Sequence, residues 1–322
     1  KHMRPTLIAE CCQNHNGDKD ILQRMIHTAA ENGADYVKIQ AIRSEEVAYR
    51  ERFEEGVKDE SGEVLAIKRP YQAEVDRLSK LDLDPSTEEW FVQECVRAGV
   101  APMTTVFTRA GVERVKDQGY EAIKIASYDC RSYPLLRDVK KYWSTIFVST
   151  GSSFDDEIER AAAELEGTNF TMLHCVTIYP TPLNELHLKR LNYLRRYTHQ
   201  IGYSDHSEPA KDGLWASKLA IAFGASCVER HYTILAPEES RDGKVSITPS
   251  MLKELRDFGD LSRQDQMAHI REGWPKWEEA LGNAQRPLSK AELLNRDYYA
   301  GRFASKVNGR DVFNWEDRDL NR

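Results

Sequence analysis

Two short stretches carry the side chains best suited to chemistry: Ile201-Gly202-Tyr203-Ser204-Asp205-His206 and Cys227-Val228-Glu229-Arg230-His231. Each is an apolar-led run that ends in polar groups. As parallel strands, spaced roughly 4.8 Å apart, they would bring His206 and His231 to one end of a sheet with a carboxylate and a hydroxyl. Two imidazoles suit a borderline divalent ion, Mn²⁺ first, with Co²⁺, Zn²⁺ or Mg²⁺ as alternatives. Coordination positions would stay open for water and a substrate oxygen. The plainer reading is two unrelated histidines near strand ends. What separates the two readings is whether other strands deliver polar residues to the same end.

They do. Other apolar runs end in Glu10, in Lys38 and Gln40, in Thr105, in Lys124 and Ser127, and in Ser149, and Tyr179 follows another. Together with Ser204, His206, Glu229 and His231 they form one collection. Singly, Lys38 could be a solvated cation, Ser149 a helix cap and Glu10 a partner for a lysine. Collectively, charges of both signs at a buried rim are costly unless they serve each other or a ligand. Two lysines beside short hydroxyls suit a phosphate or a carboxylate. The collection reads as an anion cradle next to a metal that polarises an oxygen.

The elements that must position these residues are eight strand-like runs, at 6–12, 36–41, 101–107, 122–127, 145–151, 170–175, 200–204 and 227–232. Helical segments separate them. Asp18 is placed to cap the first, whose apolar stripe is Ile21, Leu22, Met25, Ile26 and Ala29. Ser86 or Thr87 is expected to cap the next. Others are expected over 109–118, 134–142, 154–165 and 184–195, after Pro209, and from Pro249. This order and size predict a (β/α)8 barrel over residues 1–260. A doubly wound open sheet is the alternative, without a GxGxxG or P-loop to support it. Residues 43–84 form a long, charged excursion of the kind that carries function. Residues 261–322 form a polar arm whose Trp274, Trp277 and Trp315 are packing anchors, on the barrel or on a second subunit.

Composition narrows the partners. A hydrophobic content of 40% over 322 residues supports a sizeable core, and a net charge of −7 argues against nucleic acid or an anionic membrane. No run approaches a membrane span, and no signal-peptide core is present. The six cysteines form no CxxC pair, which points to buried thiols in a reducing, cytoplasmic compartment. Lys1-His2 ahead of Met3 reads as an expression remnant, so His2 is set aside as a ligand.

Several motifs resemble the sialic acid synthase family. They are Ala9-Glu10, Asn14-His15-Asn16-Gly17-Asp18, Gly33-Ala34-Asp35-Tyr36-Val37-Lys38-Ile39-Gln40, Lys124-Ile125-Ala126-Ser127, Ser149-Thr150-Gly151, Leu173 to Pro180, Gly202 to His206 and Glu229-Arg230-His231. Family members condense phosphoenolpyruvate with an N-acyl amino sugar to give a 2-keto sugar acid. The resemblance implies that Lys38, Thr105, Lys124, Ser127, Ser149, Thr177 and Ser204 bind phosphoenolpyruvate. It implies that His206 and His231 hold the metal, and that Gln40, Tyr179 and Asp242 hold the acceptor. Glu10 and Glu229 become acid–base candidates, with Lys124, His206 and His231 in the catalytic group. Departures fall on the acceptor side: Tyr128-Asp129 stands where the family commonly has Gly-Glu, which makes Asp129 the replacement contact. Cys11-Cys12-Gln13 replaces an Ile-Gly start, and Arg230 replaces a Lys. The family's closing antifreeze-like domain is expected to be mostly absent, since the chain stops at Arg322, and the arm is expected to pack against a second barrel in a homodimer. Two rival activities remain: a Schiff-base pyruvate aldolase using Lys124, and a barrel that binds a sugar acid without turnover.

Overall fold

The computed structural model describes residues 3–308 and 310–313. Eight parallel strands close into a barrel: β1 (Thr6–Cys12), β2 (Tyr36–Gln40), β3 (Ala101–Thr105), β4 (Ala122–Ile125), β5 (Thr145–Ser149), β6 (Asn169–Cys175), β7 (Ile201–Asp205) and β8 (Cys227–His231). Each strand pairs with the next, and β1 closes on β8 with Thr6 opposite Cys227 and Glu10 opposite His231. The (β/α)8 expectation is borne out.

Period-two alternation explains how the barrel divides its labour. One set of alternate residues, including Leu7, Ala9, Val37, Ile39, Ile123, Ile125, Ile146 and Val148, joins the main apolar cluster with the surrounding helices. The other set faces inward. Its lower layer is an apolar plug of Ile8, Met103, Ala122, Phe147, Leu173 and Cys227. Two residues further along each strand the same inward positions become Glu10, Thr105, Lys124, Ser149, Cys175 and Glu229. Gly202 is the inward residue of β7 at plug level, where a Cβ would lie 2.6 Å from the Cys227 carbonyl oxygen. The plug thus sets a dry floor under a polar upper layer.

Local signals decide the helix starts. Asp18 caps Lys19–Glu31, accepting from the N–H groups of Asp20 and Ile21. The next cap is Asp84 rather than Ser86 or Thr87: Pro85 occupies the first helical position, and the Asp84 carboxylate accepts from Thr87 N. No continuous helix covers 184–195. A 3₁₀ turn at Leu183–Glu185 and a short helix at Arg190–Leu194 flank His187, whose φ of 49° interrupts the helical path. The helix after Pro209 is likewise split at Gly213, into Pro209–Asp212 and Trp215–Ala222.

The excursion between β2 and β3 folds into two 3₁₀ turns, a hairpin pairing Val57–Lys58 with Val64–Ala66, and a helix at Tyr71–Ser79. The arm after residue 261 returns over its own barrel. Trp274 is buried with its ring 6.4 Å from that of Trp215, and Trp277 lies 5.9 Å from Phe223. At these two anchors the apolar partners come from the same chain, the first of the two placements expected. Trp315 lies outside the described residues. The helix Lys290–Tyr299 then crosses the C-terminal mouth of the barrel. There Asn295 Nδ2 donates to the Thr177 carbonyl at 2.8 Å, and Arg296 pairs with Glu157 at 2.6 Å and with the Ser152 carbonyl. Among the described residues, no helix is long and apolar enough to cross a membrane.

Candidate active site

A cavity of about 590 Å³ opens at the C-terminal end of the strands, the end where barrels place their chemistry. Its walls include Glu10, Lys38, Gln40, Thr105, Lys124, Ser127, Ser149, Tyr179, Ser204, His206, Glu229, His231 and Asp242. The strand registers place these groups together. Glu10 sits opposite Lys38 and His231, Gln40 opposite Thr105, Thr105 opposite Lys124, and Ser204 opposite Glu229.

The floor of the cavity is a buried charge cluster. Lys38 Nζ contacts Glu10 Oε2 at 3.1 Å and Glu229 Oε2 at 3.2 Å, and donates to Thr105 Oγ1. Lys124 Nζ lies 3.4 Å from Glu229 Oε1. Gln40 donates to Glu10 Oε1, Ser204 Oγ donates to Glu229 Oε1, and Ser149 Oγ bonds Ser204 Oγ at 2.8 Å. The two lysines and the two carboxyl groups therefore partner one another. The surroundings push the two carboxyl groups apart. Burial, reinforced by the negative charge of Glu229, raises the pKa of Glu10 against the pull of Lys38. Burial also opposes ionisation of Glu229, but Lys124 and Lys38 together hold it well below the usual carboxylate range. Burial lowers the pKa of Lys124, partly offset by Glu229, whereas the two carboxylates outweigh burial at Lys38 and raise it.

On one side of this cluster stand the imidazoles. The rings of His206 and His231 are 5.1 Å apart, centroid to centroid. Burial, with His231 nearby, pushes His206 down to about 3, so it stays neutral and can donate a lone pair. His231 Nδ1 is buried without a hydrogen-bond partner. Both facts fit metal ligation. Cys12 and Asp242 lie beside His231: one donor atom from each of the three falls within 4.8 Å of the others. Arg230 points the other way. Its guanidinium pairs with buried Asp205 at 2.6 Å and donates to the carbonyls of Ser207 and Val245, which ties down the loop carrying Asp242.

Two of the sequence-derived residues do not reach the cavity wall. Asp129 accepts from Ser132 Oγ at 3.0 Å and borders a separate void of about 20 Å³. Thr177 is fully buried and its hydroxyl bonds Ser152 Oγ. Instead of Asp129, its neighbour Tyr128 faces the cavity, bonding Tyr179 Oη at 3.1 Å and stacking on Tyr299 at 4.6 Å. Further lining groups come from elsewhere: Arg69 and Arg77 from the excursion, Arg241 from the β8 loop, and Asn295, Tyr299 and Arg302 from the arm. Glu74 pairs with Arg77 at 2.6 Å and with Arg302 at 3.4 Å.

A sequence profile described as the NeuB family matches residues 25–264. The chain belongs to the NeuB family. N,N'-diacetyllegionaminic acid synthase of Campylobacter jejuni is 31% identical over 308 residues, spanning 91% of this chain and 82% of that protein. N-acetylneuraminate-9-phosphate synthase of Mus musculus is 28% identical over 263 residues, spanning 77% and 67%. The crystal structure of N-acetylneuraminic acid synthetase from Leptospira borgpetersenii in complex with citrate matches with a TM-score of 0.68 at 26% identity, over 84% of this chain and 93% of that one. The resemblance drawn from the motifs is thus borne out.

Proposed function

We propose that this chain condenses phosphoenolpyruvate with the aldehyde of an N-acyl amino sugar, giving a 2-keto-3-deoxy sugar acid and phosphate. One observation carries the reading: two buried lysines, three cavity-facing serines and Thr105 converge on a dry floor beside two carboxyl groups of opposed acidity. Lys38, Lys124, Thr105, Ser127, Ser149 and Ser204 hold the phosphate and carboxylate of the donor. A trianion there inverts the local balance, so the ammonium groups exchange carboxylate partners for substrate and follow the charge that grows on the leaving phosphate. His206 and His231 hold a divalent ion, of which Mn²⁺ is the expected one. When bound, that ion supplies Lewis acidity at the acceptor's aldehyde oxygen. C3 of the donor bonds to the aldehyde carbon. Water adds at C2 and gives its proton to ionised Glu229, while Glu10, held protonated more readily, delivers one to the new alkoxide. The bond from C2 to the phosphate oxygen then breaks as the C2 hydroxyl passes its proton to the departing phosphate, which leaves a carbonyl at C2. Gln40, Tyr179 and Asp242, with Tyr128 and the rim arginines, form the acceptor half. The enzyme is proposed to work in the cytoplasm as a homodimer, and its six free, buried cysteines agree with a reducing compartment.

The lowered pKa of buried Lys124 favours one rival, a Schiff-base aldolase acting on pyruvate. Its contact with Glu229 at 3.4 Å favours the charged form and hence the cradle. The test combines N-acyl hexosamines, phosphoenolpyruvate and Mn²⁺ in ¹⁸O-water. Label is expected in the keto acid and not in the phosphate. Label in phosphate, or covalent trapping of pyruvate on Lys124 by borohydride, would overturn the proposal.

A further inference from the structure

Cys11 and Cys12 are neighbours in sequence with different surroundings. Cys11 belongs to the main apolar cluster; Cys12, only 1% exposed, belongs to none of the apolar clusters among the described residues. It ends β1 where the register with β2 slips, so that Glu10 faces Lys38 but Cys12 faces Ile39. Its φ is 41°, in the left-handed region. A glycine takes that conformation freely, whereas a side chain there is strained. Backbone held in such a region beside a cavity points to a functional constraint on the side chain.

The constraint is visible in what the sulfur meets. Cys12 Sγ, a ring nitrogen of His231 and a carboxylate oxygen of Asp242 lie within 4.8 Å of one another. His231 Nδ1, buried and without a hydrogen-bond partner, stands 3.9 Å from Asp242 Oδ2. Ligand bonds to a zinc-like ion are about 2.0–2.3 Å, so small side-chain movements close this triangle on one ion. The His206 ring lies beside this triangle, 5.1 Å from that of His231 between centroids.

We propose that Cys12 ligates the divalent ion of this site as a thiolate, together with His231 and Asp242, and that its sulfur turns the site's preference from Mn²⁺ or Mg²⁺ towards Co²⁺ or Zn²⁺. This rests on the metal-dependent reading above. Thiolate is a soft donor that favours the borderline ions, whereas an imidazole and oxygen set leaves Mn²⁺ competitive. The thiol proton passes to solvent as the ion binds. Asp242 then serves the metal rather than the sugar.

Metal-free protein titrated with Co²⁺ tests this by absorption, independently of turnover. One cobalt per chain should bind, with an intense near-ultraviolet thiolate-to-cobalt charge-transfer band. Cys12→Ser should lose that band, while Cys11→Ser keeps it. X-ray absorption of the zinc-loaded wild type should show a sulfur neighbour at about 2.3 Å, which needs no variant to fold. Cobalt uptake without the band, or a band surviving in Cys12→Ser, overturns the thiolate assignment alone. No uptake by the wild type, with turnover undiminished in chelator, overturns the metal reading and the assignment with it.

Discussion

Replacing Glu229 with Gln separates the charge argument from simple packing, because the amide keeps the shape and removes the charge. Glu229 meets Lys38 at 3.2 Å and Lys124 at 3.4 Å. At those distances, and an effective dielectric of about 20, each contact is worth about 5 kcal/mol before desolvation is counted. Most of that is offset by the cost of burying the ions, and losing one partner of a buried pair costs roughly 3–5 kcal/mol net. Glu229 lines a cavity that is open at its mouth, so the lower end applies, about 3 kcal/mol of folding stability. Urea unfolding of the ligand-free variant measures it. The same reasoning sets a sign for the donor's effect. Phosphoenolpyruvate brings the negative charge that the variant lacks, so saturating donor should narrow the stability gap between variant and wild type. Turnover should not recover, since the proposed base is gone; kcat is expected to fall by roughly 10²–10⁴-fold. A ligand-free variant as stable as the wild type, an unchanged gap with donor and a kcat within tenfold would refute the coupling of the lysines to Glu229.

Two further predictions follow from charge placement. Arg230→Met leaves Asp205 buried without its cation and should lower stability by about 3–5 kcal/mol; it should also raise the acceptor KM, because the Val245 carbonyl that holds the loop carrying rim residue Arg241 is released. A loss below about 1 kcal/mol in urea unfolding would show that the ion pair is not what secures the loop. Burial alone would raise the pKa of Glu292, but Arg286, at 2.6 Å, and Ser289 together hold it below its ordinary 4.5. A depressed carboxyl stabilises the fold above its unfolded pKa, and the stabilisation is lost as pH falls through the folded one. Helix Lys290–Tyr299 should therefore loosen below pH 4.5, seen as faster hydrogen exchange at acid pH, and Glu292→Gln should show the same exchange at neutral pH. Equal protection of that helix across this range would refute the prediction.

The donor half of the cavity was legible because period-two alternation carries it. Ile8 below Glu10, Ala122 below Lys124 and Phe147 below Ser149 are a floor and a wall written two residues apart on rigid strands. Where periodicity ends, the reading fails in specific ways. Ser127–Asp129 is a 3₁₀ turn, so successive side chains fan out by about a third of a turn. Ser127 and Tyr128 face the cavity and Asp129 turns to Ser132, whereas an alignment of motifs treats Asp129 as the contact. Arg69, Arg77 and Arg302 reach the rim only because residues far apart in sequence fold against one another, through Glu74 and Tyr299. No local pattern encodes that meeting. The same division bears on specificity. In the proposed reading the donor is held by strand residues whose positions the barrel closure fixes, and the acceptor by the excursion, the β8 loop and the arm, which can change without disturbing the floor. In this chain the acceptor layer places four arginines around one cavity mouth, with Glu74 as the carboxylate paired to two of them. That surplus of positive charge is the acceptor-side feature least expected for a neutral sugar, and it is the part of the cavity on which the identity of the second substrate turns.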